Sequence, residues 1–438
     1  MSTSIVVVGG GIAGLSFAIS LLSKSSSSRY DVTVYEKFKD ETACKGRYMH
    51  SLSIRNDLGG VEALQDLGIY NSVDAGKTPS NGAYIASSSS TAGFKVAVST
   101  AWFDSSYHVH AMRVIRYDLW MNMLQRAREL GINIHFDTVI ENILLSGSEE
   151  NGGDKHIVIG KIGGDQKFQT NADIVIVADG SRSVCRERLT GESTGFLGYT
   201  LVGAVMQVDD SFEFLKLTRH QHGLVIGHGH SLFLAEESDN TILVGMAFPA
   251  EREYSLHTDN ELLRNKVAAA IPQFPDFRTL LLRFTEEGDI WKETFLVNCR
   301  DRYPIEWKGN PSIFFLGDSS HAVSPFAGAG ANMALVDGNI LGKLIGKMEM
   351  EDKEASMDEV QKQFQKETMT KWRAIVDRQR STLQHCHSTS WMSTLVRGAV
   401  FTLLPFTFSP DYRVWRIIFA ISLTVGSALT FARKKNLI

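Results

Sequence analysis

The chain has 438 residues, 43% of them hydrophobic and 21% charged, a composition that supports a composite enzyme or two to three domains and excludes a disordered chain. Its formal net charge of −4, without a basic patch interleaved with aromatic residues, argues against a nucleic-acid-binding protein. The four cysteines are scattered without Cys-x-x-Cys spacing, which argues against disulfides and a structural zinc site and favours a reducing compartment.

The first 36 residues predict a strand, a helix and a second strand, the unit that binds nucleotides in parallel sheets. A β-branched run occupies residues 4–8, helical spacing follows over 15–22, and a second strand covers 30–35. The apolar start has glycines at its centre and no basic region before it, so it predicts buried structure rather than a signal peptide.

Three glycines join the first strand to the first helix in a GxGxxG pattern. We expect Gly9 to permit a tight turn, Gly11 to let a pyrophosphate approach the backbone, and Gly14 to let the helix pack on the strand. The N-terminus of that helix would bind phosphate through its free N–H groups and its dipole. Glu36 ends the second strand, where its carboxylate could accept both ribose hydroxyls and would argue against NADP as the resident nucleotide.

A second candidate site follows the continuously apolar run over residues 172–178, which predicts a strand buried on both faces. Asp179 and Gly180 turn the chain at the end of this strand, which is where α/β sheets bind ligands. A helix is predicted to begin at Ser183, with Arg186 one turn further on. Composition alone leaves two interpretations open at this point, a ligand site and an ordinary capped helix start.

From about residue 187 to residue 293, short alternating segments predict an antiparallel sheet, followed by a helix over residues 260–270. Arg219, His220 and His222 lie in its strands or loops, and two more histidines follow shortly after. These basic and imidazole groups could bind a phenolate or a polyketide oxygen, or they could form a solvated turn.

The third candidate site is the stretch after a buried strand at residues 312–316. Asp318 follows that strand and could accept a hydrogen bond from a ribitol or ribose hydroxyl. A run of small residues then leads to a helix predicted to begin near Gly328, whose N-terminal N–H groups would stabilise a flat anionic ring edge. Small side chains let the backbone approach such a ring, and Pro325 stiffens the loop. The apolar flanks argue against the alternative, a flexible linker.

Parallel-sheet patterns therefore occur at the N-terminus, near residue 173 and near residue 312, which predicts a nucleotide-binding domain assembled from separate segments. A long charged helix is predicted over residues 357–384. The apolar run over residues 414–432, followed by three basic residues, leaves two interpretations open: a membrane anchor on the cytoplasmic side and a helix pair packed on the globule.

The three sites together resemble the single-component FAD-dependent aromatic hydroxylases typified by para-hydroxybenzoate hydroxylase. The resemblance is carried by four sets of residues, namely Gly9–Gly14; Arg116 with Leu119; Asp179, Gly180, Ser183 and Arg186; and Gly317, Asp318, His321, Pro325, Gly328, Gly330 and Asn332. Within that family, residues 295–307 and 321–338 look closest to the tetracycline-inactivating flavin monooxygenases and related fungal enzymes.

The resemblance implies an α/β fold: a Rossmann-like FAD-binding domain assembled from discontinuous segments, an inserted antiparallel-sheet substrate domain and C-terminal helices. It assigns residues 1–72, 100–186 and 295–350 to FAD binding, 73–99 and 187–294 to the substrate domain, 351–412 to the C-terminal helices, and 413–438 to a hydrophobic tail. The implied cofactor-binding residues are Gly9, Gly11, Gly14, Glu36, Arg47, Arg116, Asp179, Gly180, Gly317, Asp318, Pro325, Gly328, Gly330, Ala331 and Asn332.

The chemistry implied by the resemblance is reduction of FAD by NADH or NADPH, followed by oxygen transfer to a small molecule through a flavin C4a-hydroperoxide. No acid–base pair and no metal is required, because the flavin does the chemistry and the loop of Pro325 and Gly328 lies near its ring. His321 is interpreted as a structural residue of that loop. Ala329, where the family often has glutamine, and Ser53, where relatives place an acidic flavin contact, depart from the family pattern.

Several activities remain open at this stage. An aromatic or polyketide-like substrate of secondary metabolism is expected for a hydroxylase, and an epoxidase of terpenoid metabolism shares the fold. A non-catalytic flavin-binding module is the alternative from a different class. A flavin-dependent halogenase is excluded, because none of the seven tryptophans lies in a WxWxIP stretch.

Overall fold

The computed structural model describes residues 2–24, 29–45, 48, 50–77, 83–88, 95–99, 111–208, 222–238, 240–285, 294–350 and 356–389. The strands in these ranges are β1 Thr3–Val8, β2 Tyr30–Tyr35, β3 Ser51–Arg55, β4 Ala83–Ser87, β5 Lys95–Ser99, β6 Ala111–Ile115, β7 Asn133–His135, β8 Thr138–Leu144, β9 His156–Ile162, β10 Gln166–Ala172, β11 Ile174–Val177, β12 Gly195–Gln207, β13 His222–Ile226, β14 Ser231–Ser238, β15 Thr241–Pro249, β16 Phe295–Asp301 and β17 Ile313–Phe315. The α-helices are α1 Ile12–Lys24, α2 Gly60–Asp66, α3 Tyr70–Ala75, α4 Arg116–Glu129, α5 Val184–Thr190, α6 Asn260–Ala270, α7 Arg278–Leu282, α8 Gly330–Met350 and α9 Met357–His387.

A five-stranded parallel sheet in the order β17-β11-β1-β2-β7 organises the nucleotide-binding part of the molecule. The strands β11 and β17 are apolar along their whole length, and β1 is apolar from Ile5 to Val8. Both faces are covered here: Ile5 and Val7 of β1 enter one core, and Val6 and Val8 enter another. The strands come from distant parts of the chain, so the predicted assembly of this fold from discontinuous segments is confirmed. The exact domain boundaries stay a prediction.

The helix α8, which follows the third candidate site, packs directly on α1, which follows the GxGxxG loop. A Cβ atom on Gly338 of α8 would lie 2.5 Å from the backbone nitrogen of Phe17 in α1, so only glycine allows this approach. The hydroxyl of Ser16 donates to the carbonyl of Leu335 at 2.7 Å, which fixes the register of the two helices. This packing brings two loops together that are about 300 residues apart in sequence.

The inserted domain is built on a seven-stranded sheet in the order β16-β12-β15-β14-β13-β4-β5. One face packs on the helical segment that includes α6 and α7, through Val202, Leu232, Val244, Leu263 and Phe277. Its neighbouring strands are antiparallel except for β13 and β4, which pair in parallel. This exception arises because β4 belongs to an earlier chain segment and joins the sheet without a hairpin.

In the ranges described above, no helix combines the length and apolar character needed to cross a bilayer. The predicted hydrophobic tail, residues 413–438, lies outside those ranges.

Candidate functional site

The glycines of the first loop have the three different environments that the sequence predicts. Gly9 has a φ of +104°, and a Cβ atom there would lie 2.4 Å from the carbonyl oxygen of Ala178. A Cβ atom on Gly14 would lie 2.1 Å from the carbonyl oxygen of Gly9, so the helix packs tightly on this turn. In contrast, no described atom lies within 4 Å of a Cβ atom placed on Gly11. The loop therefore keeps open space at the one glycine that is predicted to face a pyrophosphate.

Glu36 and Trp120 hold the first loop from two sides. The Glu36 carboxylate is buried and accepts from the backbone N–H groups of Gly10 at 2.8 Å and Phe38 at 3.0 Å. The Trp120 indole donates to the carbonyl of Gly10 at 2.7 Å. Each carboxylate oxygen has two lone pairs, so Glu36 keeps acceptor capacity for a ribose hydroxyl.

Asp179 follows β11 at the carboxyl end of the parallel sheet. Its Oδ2 atom accepts weakly from the N–H of Cys185 at 3.3 Å, while its Oδ1 atom is buried without a hydrogen-bond partner within the described part of the chain. Burial raises the pKa of the Asp179 carboxyl above its usual range, although the Ser183 hydroxyl and the Cys185 N–H act against this rise. Gly180 has a φ of +89°, and the space in front of it is open.

Arg186 connects the second site to the third. It is almost fully buried and donates to the carbonyls of Ser181 at 3.0 Å, Glu192 at 3.1 Å and Ser319 at 3.2 Å. Ser183 caps the helix by accepting from the Arg186 N–H at 2.9 Å. The segment is thus a capped helix start, and Arg186 also supports the loop that carries Asp318. The interpretation as a ligand site stays a prediction.

Asp318 is half-buried after β17, and within the described ranges no group donates a hydrogen bond to its carboxylate. Burial raises its pKa, while the positive charges of Arg116 and Arg186 and the neighbouring His321 act against this rise. Gly317 before it has a φ of +56°. The carboxylate is thus available to accept a hydrogen bond from a ligand.

His321 lies inside the protein and supports the loop. Its Nε2 atom lies 2.5 Å from Oδ2 of Asp337, and that oxygen also accepts from the Gly317 N–H at 2.8 Å. The Trp372 indole donates to the other Asp337 oxygen at 2.7 Å. Burial lowers the pKa of His321, but the Asp337 carboxylate outweighs this effect, so the pKa is raised. These contacts agree with a structural role.

The small-residue loop approaches α8 through a 3₁₀ turn at Pro325–Ala327. Gly328 has a φ of +54° and open space where a side chain would be, and α8 begins at Gly330 rather than near Gly328. Ala329 is buried in the core, and Ala331 is half-buried at the helix start. The N–H groups of the first turn of α8 are the ones predicted to meet a flavin ring edge.

Asn332 braces this helix against β3. Its amide nitrogen donates to the carbonyls of Ser53 at 2.9 Å and Gly328 at 3.2 Å, and its oxygen accepts from the Arg55 N–H at 2.7 Å. The side chain of Asn332 is therefore engaged by the protein itself. A contact from Asn332 to the cofactor would use its backbone N–H.

Arg116 begins α4, and its guanidinium lies 4.0 Å from the ring centre of Tyr48. Its positive charge acts against the rise in the pKa of Asp318, so Arg116 lies within electrostatic range of the third site. Arg47, the other predicted arginine, lies outside the described residues.

The predicted substrate-binding residues are only partly described. Arg219 and His220 lie outside the described ranges, whereas His222 begins β13. Burial, together with the charges of Arg113 and Arg55, lowers the pKa of His222 to about 3. His222 is therefore a neutral imidazole at neutral pH, and it offers no positive charge to a phenolate.

Sequence reasoning missed a buried polar cluster, which we call the Glu237 cluster: Ser51 on β3, Arg113 on β6 and Glu237 on β14. The Ser51 hydroxyl donates to Oε1 of Glu237 at 2.6 Å, and Arg113 donates to the same oxygen at 3.2 Å. Arg113 also donates to the Ser51 hydroxyl. The only signal in the sequence was alternation along β14, which places a glutamate on a face otherwise suited to burial.

Comparison with known proteins gives consistent results. The family described as FAD binding domain matches residues 2–379 of the chain. Monooxygenase cfoF of Aspergillus candidus is 27% identical over 414 residues, covering 88% of this chain and 91% of that protein. The chloroplastic zeaxanthin epoxidase of Prunus armeniaca is 27% identical over 347 residues, covering 76% of this chain and 47% of that protein.

Two solved structures share the fold. Klebsiella pneumoniae HpxO, complexed with FAD and uric acid, superposes with a TM-score of 0.73 and 19% identity, covering 97% of each chain. Tetracycline destructase Tet(51) superposes with a TM-score of 0.63 and 15% identity, covering 94% of this chain and 100% of that one.

Proposed function

Because the chain belongs to the FAD binding domain family and is an FAD-dependent monooxygenase, we propose that it uses NAD(P)H and O₂ to hydroxylate a small aromatic or polyketide-like molecule. The family membership confirms the cofactor and the enzyme class expected from the resemblance, and it sets aside the non-catalytic module. The substrate, the reductant and the residues assigned to each role belong to the proposal.

One observation carries the assignment of the site. Gly11, Gly180 and Gly328 each have open space in front of them. Among the described residues, Oδ1 of Asp179 is buried without a hydrogen-bond partner, and no group donates to the half-buried Asp318 carboxylate. Buried polar atoms without partners are uncommon in folded proteins, and they often lie where a ligand binds. This arrangement fits a dinucleotide with many hydroxyl and phosphate groups.

The residues present would hold FAD along its length. The N-terminus of α1 would bind the pyrophosphate, Glu36 the adenosine ribose, Asp318 the ribitol, and the N-terminus of α8 the pyrimidine edge of the ring. When bound, FAD supplies the hydride acceptance and the oxygen activation that no protein side chain can provide. The protein orients the substrate beside the ring and excludes water.

The inserted sheet supports a mostly apolar substrate. Its face opposite the helices fronts β3 and β6, as the ring contact between His50 and Phe295 at 5.5 Å and the Glu237 cluster demonstrate. Alternation along the strands places these apolar side chains on this face: Leu201, Val205, Leu224, Phe233, Ala235 and Leu243. The neutral His222 on the same face suits an uncharged or weakly polar molecule.

Epoxidation of an alkene is the second candidate activity. It is favoured by the similarity to a zeaxanthin epoxidase and by the same apolar face, which would suit a terpenoid. Both activities use the same oxygen chemistry of FAD, so the position of the substrate decides between them.

The proposal is tested with purified protein. We expect a yellow, FAD-loaded protein that oxidises NADH or NADPH faster when a phenolic or polyketide-like substrate is added, with one labelled oxygen atom from O₂ in the product. An epoxide product would favour the second candidate. Protein without FAD, or a substrate-stimulated reaction that releases only hydrogen peroxide with every substrate tried, would contradict the proposal.

A further inference from the structure

The Glu237 cluster lies where the inserted sheet meets the FAD-binding part of the molecule. Glu237 lies on β14. Its neighbour Glu236 pairs with Ile242 of β15, and the Ile242 side chain belongs to the core beneath α6 and α7. The carboxylate of Glu237 contacts Ser51 of β3 and Arg113 of β6, so this side chain points away from that core and toward β3 and β6. Phe233, on the same face of β14, lies 5.5 Å from the Arg113 guanidinium and continues this surface.

β3 connects this cluster to the predicted flavin loop. Asn332, at the start of α8, is hydrogen-bonded to the backbone of Ser53 and Arg55. Ser51 precedes Ser53 by two residues, about 7 Å along a strand. Glu237 is hydrogen-bonded to Ser51, so its carboxylate lies close to the face on which the flavin ring is proposed to lie.

The two oxygens of the Glu237 carboxylate have different surroundings. Oε1 accepts from both Ser51 and Arg113, whereas Oε2 is buried without a hydrogen-bond partner among the residues described. The side chain is about 2% exposed. A carboxylate oxygen that is shielded from water and left unpaired is costly, unless a ligand donates to it.

We propose that Glu237 determines substrate specificity, with Oε2 accepting a hydrogen bond from an O–H or N–H group of a neutral, mostly apolar substrate. This inference rests on the proposed function and deepens it by naming the polar contact. Burial raises the pKa of the Glu237 carboxyl, while the Arg113 charge and the hydrogen bonds from Ser51 act against this rise. In the ionised state that these contacts favour, Oε2 acts as an acceptor and Oε1 anchors the side chain.

The charges around the cluster select against anionic substrates. The two arginines that act on His222 are each paired with a carboxylate, Arg113 with Glu237 and Arg55 with Asp57. His222 itself is neutral. A substrate carboxylate at this position would meet Glu237 as a like charge, whereas a phenol or an indole N–H would donate to it.

Three naphthalene probes test the proposal on the FAD-loaded protein, with binding followed by the perturbation of the flavin absorbance. 1-Naphthol carries a donor, 1-methoxynaphthalene has the same shape without one, and 1-naphthoate carries a negative charge. We expect the wild type to bind 1-naphthol about tenfold more tightly than 1-methoxynaphthalene, and 1-naphthoate most weakly.

The variant Glu237→Gln places an N–H donor where Oε2 lies and keeps an oxygen for Ser51 and Arg113. We expect it to lose the preference for 1-naphthol, so that the two neutral probes bind within about twofold of each other. The matched control is Glu236→Gln, a neighbouring glutamate on the opposite face of β14, which should keep the wild-type ratio.

The wild-type ranking tests the inference even if the variant does not fold. Equal binding of the three probes, tighter binding of 1-naphthoate, or no binding of any probe would overturn it, as would a Glu237→Gln protein with full FAD content and an unchanged ratio. A failure of the proposed function is distinguishable, because it would appear as missing FAD or absent NAD(P)H oxidation.

Discussion

Two aspartates that follow neighbouring parallel strands are central to the proposed FAD site. Asp179 follows β11 and Asp318 follows β17, and these strands pair directly in the sheet. Burial raises the pKa of both carboxyls, and both keep oxygens that no described residue satisfies. Groups with such raised pKa values are concentrated at functional sites, so we expect both carboxylates to contribute to ligand binding.

Replacing Asp318 tests this directly. Asp318→Asn removes the charge and keeps the shape, so we expect FAD binding to weaken by about 1–3 kcal/mol, the range for a charge-assisted hydrogen bond. The measurement is the dissociation constant of FAD, with the exposed Asp165→Asn as a control that should bind normally. Unchanged FAD affinity in Asp318→Asn would remove Asp318 from the binding site.

At the scale of elements, the loop between β1 and α1 contains one glycine that the fold requires and another that is proposed to serve ligand binding. Gly14 is needed for packing, because a methyl group there would collide with the carbonyl of Gly9. Gly11 has no such neighbour among the described residues and is proposed to face the ligand. Two glycines three residues apart therefore serve different purposes, although the GxGxxG pattern treats them alike.

This difference predicts opposite effects of the same substitution. Gly14→Ala should lower the stability of the apoprotein by about 1–3 kcal/mol or more, because overpacked sites force the backbone to shift. Gly11→Ala should leave the thermal unfolding of the apoprotein nearly unchanged and weaken FAD binding, because its methyl group would occupy ligand space. Equal losses of stability in the two variants would contradict this assignment.

The contact between His321 and Asp337 joins the third loop to α8 and should make stability depend on pH. The pKa of His321 is raised in the folded state, so its stabilising effect is present below the unfolded pKa of about 6.5 and is lost as the pH rises through the folded pKa. We expect the difference in melting temperature between wild type and His321→Gln to decrease from about pH 6 to about pH 9.

His156 provides the control, because burial lowers its pKa. A lowered histidine pKa destabilises the folded state as the pH falls, so the difference between wild type and His156→Gln should change with pH in the opposite direction. If both variants show the same pH dependence, the assignment for His321 is wrong.

At the scale of the whole molecule, the site is a meeting of three separate parts. The parallel sheet presents the loops after β1, β11 and β17, the packing of α8 on α1 joins the first and third loops, and the inserted sheet faces β3. The long helix α9 adds support to the third loop, since Gln379 accepts from the Ser324 N–H at 2.7 Å.

Deletion tests whether the predicted hydrophobic tail, residues 413–438, anchors the protein to a membrane. Deleting residues 411–438 should move the protein from the membrane pellet to the supernatant, because the run over 414–432 approaches the ~20 apolar residues that span a bilayer. The FAD content should stay the same. A full-length protein already found in the supernatant would contradict membrane anchoring.

The sequence by itself determined the cofactor class and the three loops that are proposed to bind it. Each loop carries a local requirement that its own residues reveal: a glycine at positive φ, a carboxylate after an apolar strand, or small residues before a helix. Such requirements act within a few residues, so they are visible without knowing the tertiary structure. The beginning of α8 at Gly330 shows the usual limit of such reasoning, which places element ends only approximately.

Only the tertiary structure decided which charges meet. Glu237 and Ser51 are 186 residues apart in sequence, and Glu237 and Arg113 are 124 apart, so no local pattern could pair them. The same holds for His222, which looks like a cation in the sequence but is neutral because burial and two arginines lower its pKa. Burial and long-range electrostatics depend on the packed molecule, and they determine what the substrate face can recognise.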